Sequence, residues 1–213
     1  MDIISKIVNN DMGNIKNFTT DNLTNVDRVL SQLALQRASD LSQIKLSKHL
    51  QTSISNIKNI LDTLEKTHLI FHIEAYGTSS KRTKKTWKYY FATSSLKHAL
   101  SSTLGNNSIR KEEYNGILLE NMIASLLQEK FTKTYNTYLF YDSNKQNVDF
   151  IIQKGFQNPI PIEVGRGKKD KKQVKTAMKT YKSSHGIIIS NTTTKISKED
   201  NIIYIPYKTF SIL

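Results

Sequence analysis

NVDFIIQKGFQNPIPIEV, residues 147–164, carries the strongest structural signal in the chain. Two short apolar segments, 147–152 and 160–164, flank a centre at Phe156 and predict an antiparallel hairpin. In that register Asp149 lies directly opposite Glu163, on the same face. Like charges that face each other across strands destabilise a sheet. The pair therefore predicts a cation site, and its oxygen ligands suit Mg2+ or Mn2+ rather than Zn2+.

A third acidic residue precedes the hairpin, in the predicted helix GILLENMIASLLQEKF at 116–131. Glu120 lies among apolar neighbours there, at the rim of the buried face, where an unpaired charge is costly. A metal ion or a cationic partner would offset that cost. The alternative is that Asp149 and Glu163 are solvated carboxylates on an open sheet face.

The densest basic segment of the chain, GRGKKDKKQVKTAMKTYKSS at 165–184, begins immediately after Glu163. Its second part predicts a helix with one apolar stripe, and strands at 186–190 and 201–206 complete the sheet. A basic surface beside a metal site is what phosphodiester cleavage requires. A merely solvated lysine-rich helix is the alternative. The predicted nucleic-acid contacts here are Arg166, Lys169, Lys172 and Lys175.

The N-terminal half predicts three helices, at 25–40, 43–50 and 53–66, then a strand at 69–76, a flexible basic loop and a strand at 87–91. This order is the winged helix-turn-helix plan. The polar face of the third helix and the loop supply the predicted nucleic-acid contacts, which are Ser55, Asn56, Lys58, Asn59, Lys81, Arg82, Lys84 and Lys85. A small helical domain with a solvated loop, or a protein-binding module, are the alternatives.

A break at 105–108, Gly-Asn-Asn-Ser, ends a leucine-bearing helix and predicts the domain boundary. The expected domains are a winged-helix domain at 1–104 and an α/β domain at 109–213, so that the whole chain is α+β.

Net charge is the most informative property of the composition, at +13 with a pI near 9.7. Such an excess favours DNA as the partner, although a basic protein whose lysines only maintain solubility is the alternative. Cysteine is absent, which excludes disulfides and thiolate metal sites. No apolar run approaches a membrane span and the N-terminus lacks a signal peptide, so we expect no membrane partner and a cytoplasmic location.

Roughly the last hundred residues resemble the PD-(D/E)XK nuclease superfamily. The resemblance lies in the order of elements, which is a helix with Glu120, a strand with Asp149, a strand with Glu163, and then a helix and a strand. The resemblance implies a restriction-endonuclease-like fold, with a mixed central sheet flanked by helices. More narrowly, WKYYFATSSLKHAL at 87–100 with GILLEN, VDFII and PIEVG resembles the C-terminal part of a family of archaeal and bacterial AAA-type ATPases. In that family a P-loop ATPase module precedes a winged helix and a nuclease-like domain. No Walker motif occurs in the 213 residues.

One departure from the superfamily pattern bears on activity. Active members carry lysine two residues after the motif glutamate, and that position is Gly165 here. The resemblance implies that Lys168, Lys169 or Lys175 supplies the amine from a shifted position; of these, Lys168 is the predicted catalytic residue, with Glu120, Asp149 and Glu163 as metal ligands and catalytic acids.

Three functions follow as expectations. The first is a Mg2+- or Mn2+-dependent DNA endonuclease. The second is a non-catalytic DNA-binding regulator with a degenerate nuclease fold, which Gly165 favours. The third is an interaction module whose ATPase partner acts in trans.

Overall fold

The computed structural model describes residues 20–35, 41–104, 110–144, 148–165 and 170–213, without the side chains of 20–24 and 170. The described elements are, in chain order, α1 (Thr20–Leu35), α2 (Gln43–Leu50), α3 (Ile54–Lys66), β1 (Ile70–Ala75), α4 (Ser79–Lys84), β2 (Lys88–Phe91), α5 (Ser94–Thr103), α6 (Lys111–Thr132), β3 (Thr137–Tyr141), β4 (Phe150–Lys154), β5 (Ile160–Gly165), α7 (Asp170–Tyr181), β6 (Gly186–Ser190), β7 (Ser197–Glu199), β8 (Ile202–Pro206) and α8 (Tyr207–Phe210).

The chain divides into two compact units. Unit 1 comprises the described residues of Met1–His72 and Thr86–Tyr114, and unit 2 those of Ile73–Lys85 and Asn115–Leu213. The sequence predicts a division at 104–109, with residues 73–85 in the first domain. By contacts, this segment belongs to unit 2 because the end of β1 pairs with β3, with Ala75 opposite Tyr141.

Unit 1 buries the apolar stripes of its helices in one core. The apolar stripe of α1 is buried, and it meets the apolar faces of α2 and α3 and the aromatic residues of β2. Two side chains of α5 satisfy carbonyl groups at the end of α1, which a helix leaves without an internal partner. Lys97 Nζ donates to the carbonyl of Leu33 at 2.6 Å, and Ser101 Oγ donates to that of Ala34 at 3.0 Å.

Unit 2 is built on a mixed sheet with the strand order β1-β3-β4-β5-β6-β8-β7. β4 runs antiparallel to both of its neighbours, β3 and β5, whereas β5, β6 and β8 are parallel. The predicted α+β class with a mixed sheet and helices is confirmed.

Helix α7 packs closely against strands β5 and β6. Val174 and Ala177 of α7 meet Ile151 and Ile188 of the sheet in one buried cluster. Gly186 permits this approach, because a Cβ at that position would lie 2.3 Å from Val174 Cγ1. Such a distance is far inside van der Waals contact, so the helix could not keep its position over a larger residue.

The structure corrects the prediction of a flexible loop at 77–86, because residues 79–84 form the short helix α4. Thr78 starts this helix, since its hydroxyl accepts from the backbone N–H of Lys81 at 3.4 Å. Basic residues in its last turn also suit the negative end of the helix dipole. The sequence did not predict β7 or α8, which are only three and four residues long.

Candidate functional site

The hairpin of β4 and β5 has the register that the sequence predicts. Phe150 lies opposite Ile162 and Ile152 opposite Ile160, so one further step brings Asp149 opposite Glu163. Asp149 itself precedes β4 rather than lying within it, which corrects the predicted strand bounds. Its Oδ2 accepts from the backbone N–H of Val164 at 2.8 Å, which fixes the carboxylate beside β5.

Glu163 is a buried acid, with 7% of its surface exposed. Its neighbour across the sheet is Ile188, which belongs to the apolar cluster under α7. Glu163 therefore lies on the α7 face of the sheet, whereas Asp149 is half-buried. Burial of a carboxylate on an apolar face has a high desolvation cost, which is typical of functional sites.

Glu120 lies half-buried on α6. Within the described ranges, no three His, Cys, Asp or Glu side chains are grouped so that they could hold a metal ion. Glu120, Asp149 and Glu163 thus do not form one three-ligand group there. Two neighbouring carboxylates nonetheless offer the oxygen donors that Mg2+ prefers.

The expected catalytic lysine is Lys168. Lys168 lies outside the described residues, as do Arg166 and Lys169. Gly165 ends β5 opposite Ser190 of β6, whose hydroxyl lies 2.9 Å from Thr192 Oγ1.

Sequence reasoning missed a second buried acid, Asp142, which is 2% exposed and directly follows β3. Its Oδ1 accepts from Tyr181 Oη at 2.7 Å and from the backbone N–H of Asn144 at 3.0 Å. Burial and the Asp142 carboxylate raise the pKa of Tyr181 well above its usual range. This bond ties the end of α7 to the end of β3. The sequence feature that could have indicated Asp142 is its position as an acidic residue directly after the apolar run TYLFY.

Ion pairs within unit 2 engage part of the basic helix. Lys175 Nζ lies 2.8 Å from Asp200 Oδ2, and Lys171 contacts both Glu199 and Asp200, at 2.6 and 3.0 Å. These pairs raise the pKa of Lys171 and lower that of Asp200, in each case chiefly through the side-chain hydrogen bonds. Lys175 is therefore partly neutralised, whereas Lys172 is exposed.

Helix α3 presents a polar surface on unit 1. Its opposite face is buried through Ile57, Ile60, Leu61 and Leu64, and Ser53 starts it by accepting from the backbone N–H of Asn56. The predicted contact residues Ser55, Lys58 and Asn59 are exposed. The Asn56 amide instead donates to Thr52 Oγ1 at 2.9 Å and is half-buried. Thr63 of the same helix is buried, and its hydroxyl donates to the carbonyl of Asn59.

The basic residues of α4 divide into two pairs. Lys81 lies over Gly77, and Arg82 stands 3.6 Å from Glu74 Oε2 and 5.5 Å from the centre of the Phe140 ring. Lys84 and Lys85 are exposed. Exposed lysines that the sequence analysis did not select, Lys45 and Lys48, lie on α2.

These features define a two-unit α+β protein. One unit carries a helix with an exposed polar face, and the other carries the buried Glu163 and the half-buried Asp149 beside a basic helix. The chain belongs to the family described as "Domain of unknown function (DUF8612)", whose model matches residues 1–110. A second model, "Domain of unknown function (DUF4143)", matches residues 115–210.

A relative in Methanocaldococcus jannaschii, "Uncharacterized protein MJ1637", is 33% identical over 211 residues. The match covers 99% of this chain and 43% of the relative. The chain thus spans less than half the length of that protein.

Two solved structures of S. aureus MepR mutants, one of them bound to oligodeoxyribonucleotide, are similar to this chain at TM-scores of 0.30. The identities are 18% and 17%, and the matches cover 62% of this chain and 89% and 95% of those chains. No helix in the described part of the chain is long and apolar enough to cross a membrane.

Proposed function

We propose that this protein binds duplex DNA through unit 1, as a winged-helix module in which α3 enters the major groove. The observation that carries the proposal is the outer face of α3, where Ser55, Lys58 and Asn59 are exposed opposite a fully buried apolar face. Hydroxyl, amine and amide groups of this kind contact phosphates and base edges.

The basic balance of the chain supports the same proposal. Lys45 and Lys48 on α2 are exposed cations of unit 1, and the chain carries a net charge of +13. Lysines that neutralise phosphates release counterions, and this release supplies much of the affinity for DNA. The segment Ile73–Lys85 belongs to unit 2, so Lys84 and Lys85 are not part of this proposed surface of unit 1.

Fluorescence anisotropy with a labelled 30-base-pair duplex tests the proposal. We expect the double variant Lys58→Ala/Asn59→Ala to bind at least about tenfold more weakly, since it loses one phosphate and one base contact. The matched control is Lys195→Ala/Asn191→Ala, which removes the same two side-chain types from exposed positions of unit 2. Equal affinity of the two variants would refute a role for α3.

A second candidate function is metal-dependent DNA cleavage by unit 2, in a PD-(D/E)XK-like fold. It is favoured by the position of buried Glu163 next to Asp149, which the Val164 N–H holds in place. These two residues would hold Mg2+ or Mn2+. When bound, such an ion polarises the scissile phosphate and lowers the pKa of its water. Glu163 and Asp149 would supply the site's ligands, and Gly165 leaves the usual amine to another residue.

Plasmid cleavage with Mg2+ or Mn2+ tests this second candidate. We expect nicking that Asp149→Asn and Glu163→Gln both abolish, while Glu129→Gln, at an exposed position, retains it. If the wild-type protein leaves the plasmid intact, or if Asp149→Asn cuts as well as the wild type, unit 2 is not a nuclease of this kind. The chain would then be a non-catalytic DNA-binding regulator.

An ATPase partner in trans stays a prediction that rests on the family resemblance. Co-purification of a nucleotide-hydrolysing protein with the tagged chain would support an ATPase partner. Loss of that protein when the complexes are washed would count against such a partner.

A further inference from the structure

We propose that one end of the unit 2 sheet is a second nucleic-acid surface, which stacks unpaired bases of a single strand on Tyr135 and Phe156. This surface, the aromatic tip, comprises Tyr135, Tyr138, Phe156, Lys133, Lys154 and Lys182. The inference goes beyond the proposed function, because the surface, the unit and the form of nucleic acid all differ from those of α3.

Two aromatic side chains are almost completely in solvent at this end of the sheet. Phe156, in the turn between β4 and β5, is fully exposed, and Tyr135, just before β3, is 93% exposed. A lone exposed aromatic residue is common, whereas two neighbouring ones at a turn are not expected from folding alone.

The backbone brings these two residues together. The N–H of Gly155 donates to the carbonyl of Asn136 at 2.8 Å, and each aromatic residue is the immediate chain neighbour of one member of this pair. Both Gly155 and Asn136 have a positive φ, of 53° and 55°, which turns the chain sharply next to each ring. The positive φ of Gly155 is one that other residues rarely adopt, and a Cβ there would lie 2.7 Å from Asn136 Nδ2, so glycine favours this turn.

A third aromatic residue extends the surface along β3. Tyr138 is exposed, and its ring lies 6.4 Å from that of Phe140, with an angle of 29° between the planes. The pairing of β3 with β4 places Tyr138 opposite Gln153, next to Lys154. Tyr138 thus lies within reach of the same strand of nucleic acid as the two turn residues.

The charge of the surrounding segments selects an anionic partner. Lys133, Lys154 and Lys182 are exposed, and the Lys182 carbonyl accepts from Asn158 Nδ2 at 2.9 Å, which holds it beside the turn that bears Phe156. The segments 130–141, 150–162 and 171–198 contain no Asp or Glu. The Lys133 ion pair with Glu129, at 3.4 Å, is exposed on both sides and therefore weak.

Exposed rings flanked by lysines are the combination with which proteins bind single strands. Each ring stacks on an unpaired base and the lysines contact the intervening phosphates, so that binding tolerates any sequence. In a duplex the base faces are already stacked on each other, and the rings have nothing to contact. The aromatic tip should therefore distinguish single strands from duplexes.

Anisotropy with labelled dT20, rU20 and a duplex of the same length tests the proposal. We expect Tyr135→Ala/Phe156→Ala to weaken binding of single strands at least about tenfold and to leave duplex binding unchanged. The matched control, Ile196→Ala/Ile212→Ala, removes two exposed apolar side chains elsewhere in unit 2 and should change neither. Preference for dT20 or for rU20 identifies DNA or RNA as the source of the strand.

A direct reporter of stacking is Phe156→Trp, since a tryptophan stacked on a base loses fluorescence. We expect quenching by dT20 or rU20 and none by the duplex. The proposal is overturned if Tyr135→Ala/Phe156→Ala binds single strands as well as the wild type, or if it loses binding to anionic lipid vesicles and not to single strands. Lys58→Ala/Asn59→Ala should reduce only duplex binding. The two pairs of substitutions therefore test duplex binding by α3 and single-strand binding by the aromatic tip independently.

Discussion

At the scale of single residues, a buried lysine helps to stabilise the fold of unit 1. Lys97 is buried, and its Nζ donates a hydrogen bond to the Leu33 carbonyl. The same Nζ lies 5.5 Å from the centre of the Phe91 ring. A buried carbonyl that loses its donor retains the full desolvation cost. This lysine is therefore a structural residue, although its type would suggest a contact with phosphate.

Lys97→Met should destabilise unit 1 by about 1–3 kcal/mol, because the stem is kept and the donor to the Leu33 carbonyl is lost. Urea unfolding followed by the fluorescence of Trp87 measures the change, since Trp87 is the only tryptophan and packs against the core of unit 1. Lys208→Met, at an exposed position, should alter stability by less than about 0.5 kcal/mol. Equal losses in the two variants would contradict the assigned role.

Tyr89 gives unit 1 a pH dependence in the alkaline range. Burial raises the pKa of Tyr89 from 10.0 to about 12, partly offset by the hydrogen bond that Gln43 donates to its hydroxyl. Because the folded pKa is above the unfolded one, the stabilisation is complete below pH 10 and is lost as the pH rises through 12.

The Trp87-detected free energy of unfolding should therefore fall from pH 10 upward, and Tyr89→Phe should remove this part of the slope. Urea titrations at several values of pH measure it. An identical slope in wild type and variant would show that Tyr89 is not the group responsible.

The packing of α7 against the sheet depends on one residue of β6, Gly186. The Cβ of alanine at Gly186 would overlap Val174, and Met178 Sδ lies only 3.2 Å from the same position. Glycine at the first position of β6 thus sets the distance between helix and sheet.

Gly186→Ala should destabilise unit 2 by about 1–3 kcal/mol through this overlap. Gly116→Ala is the matched control, because nothing lies within 4 Å of its Cβ and it stands inside α6. There the same substitution should stabilise the helix, by about 0.5–1 kcal/mol. Urea unfolding followed by circular dichroism at 222 nm compares the two, and a stabilising Gly186→Ala would disprove the tight packing of α7.

The elements also show how far the sequence could be used to predict the structure. The register of β4 and β5 was predictable because two apolar strands and a short turn leave one alignment that buries both. Helix α4 was missed because its stability comes from a Thr78 cap, while Gly77 and the many lysines indicated a loop. Asp142 was missed because its partner Tyr181 is 39 residues away, a separation at which no local pattern applies.

At the scale of the whole molecule, charge governs association. The excess of 13 positive charges acts at long range only when salt does not screen it. Ion pairs such as that of Lys175 with Asp200 reduce the number of cations available for phosphates, so the count of 31 Lys and Arg residues overstates the number of possible contacts.

Raising KCl from 50 to 200 mM should weaken duplex binding on the order of 100-fold if about four phosphates are contacted. Anisotropy titrations at several salt concentrations give the slope of log affinity against log salt. A slope near zero would exclude phosphate contacts as the main source of affinity, and an equal osmolarity of sucrose is the control.

The segment Ile73–Lys85 separates the two sequence stretches of unit 1 yet packs with unit 2, and its strand pairs with β3 across more than sixty intervening residues. During synthesis on the ribosome, this stretch emerges long before its partner strand exists. Until Tyr141 has been translated, the backbone N–H and C=O groups at the end of β1 lack their partners on β3. In that interval, chaperones or a neighbouring nascent chain can bind this strand.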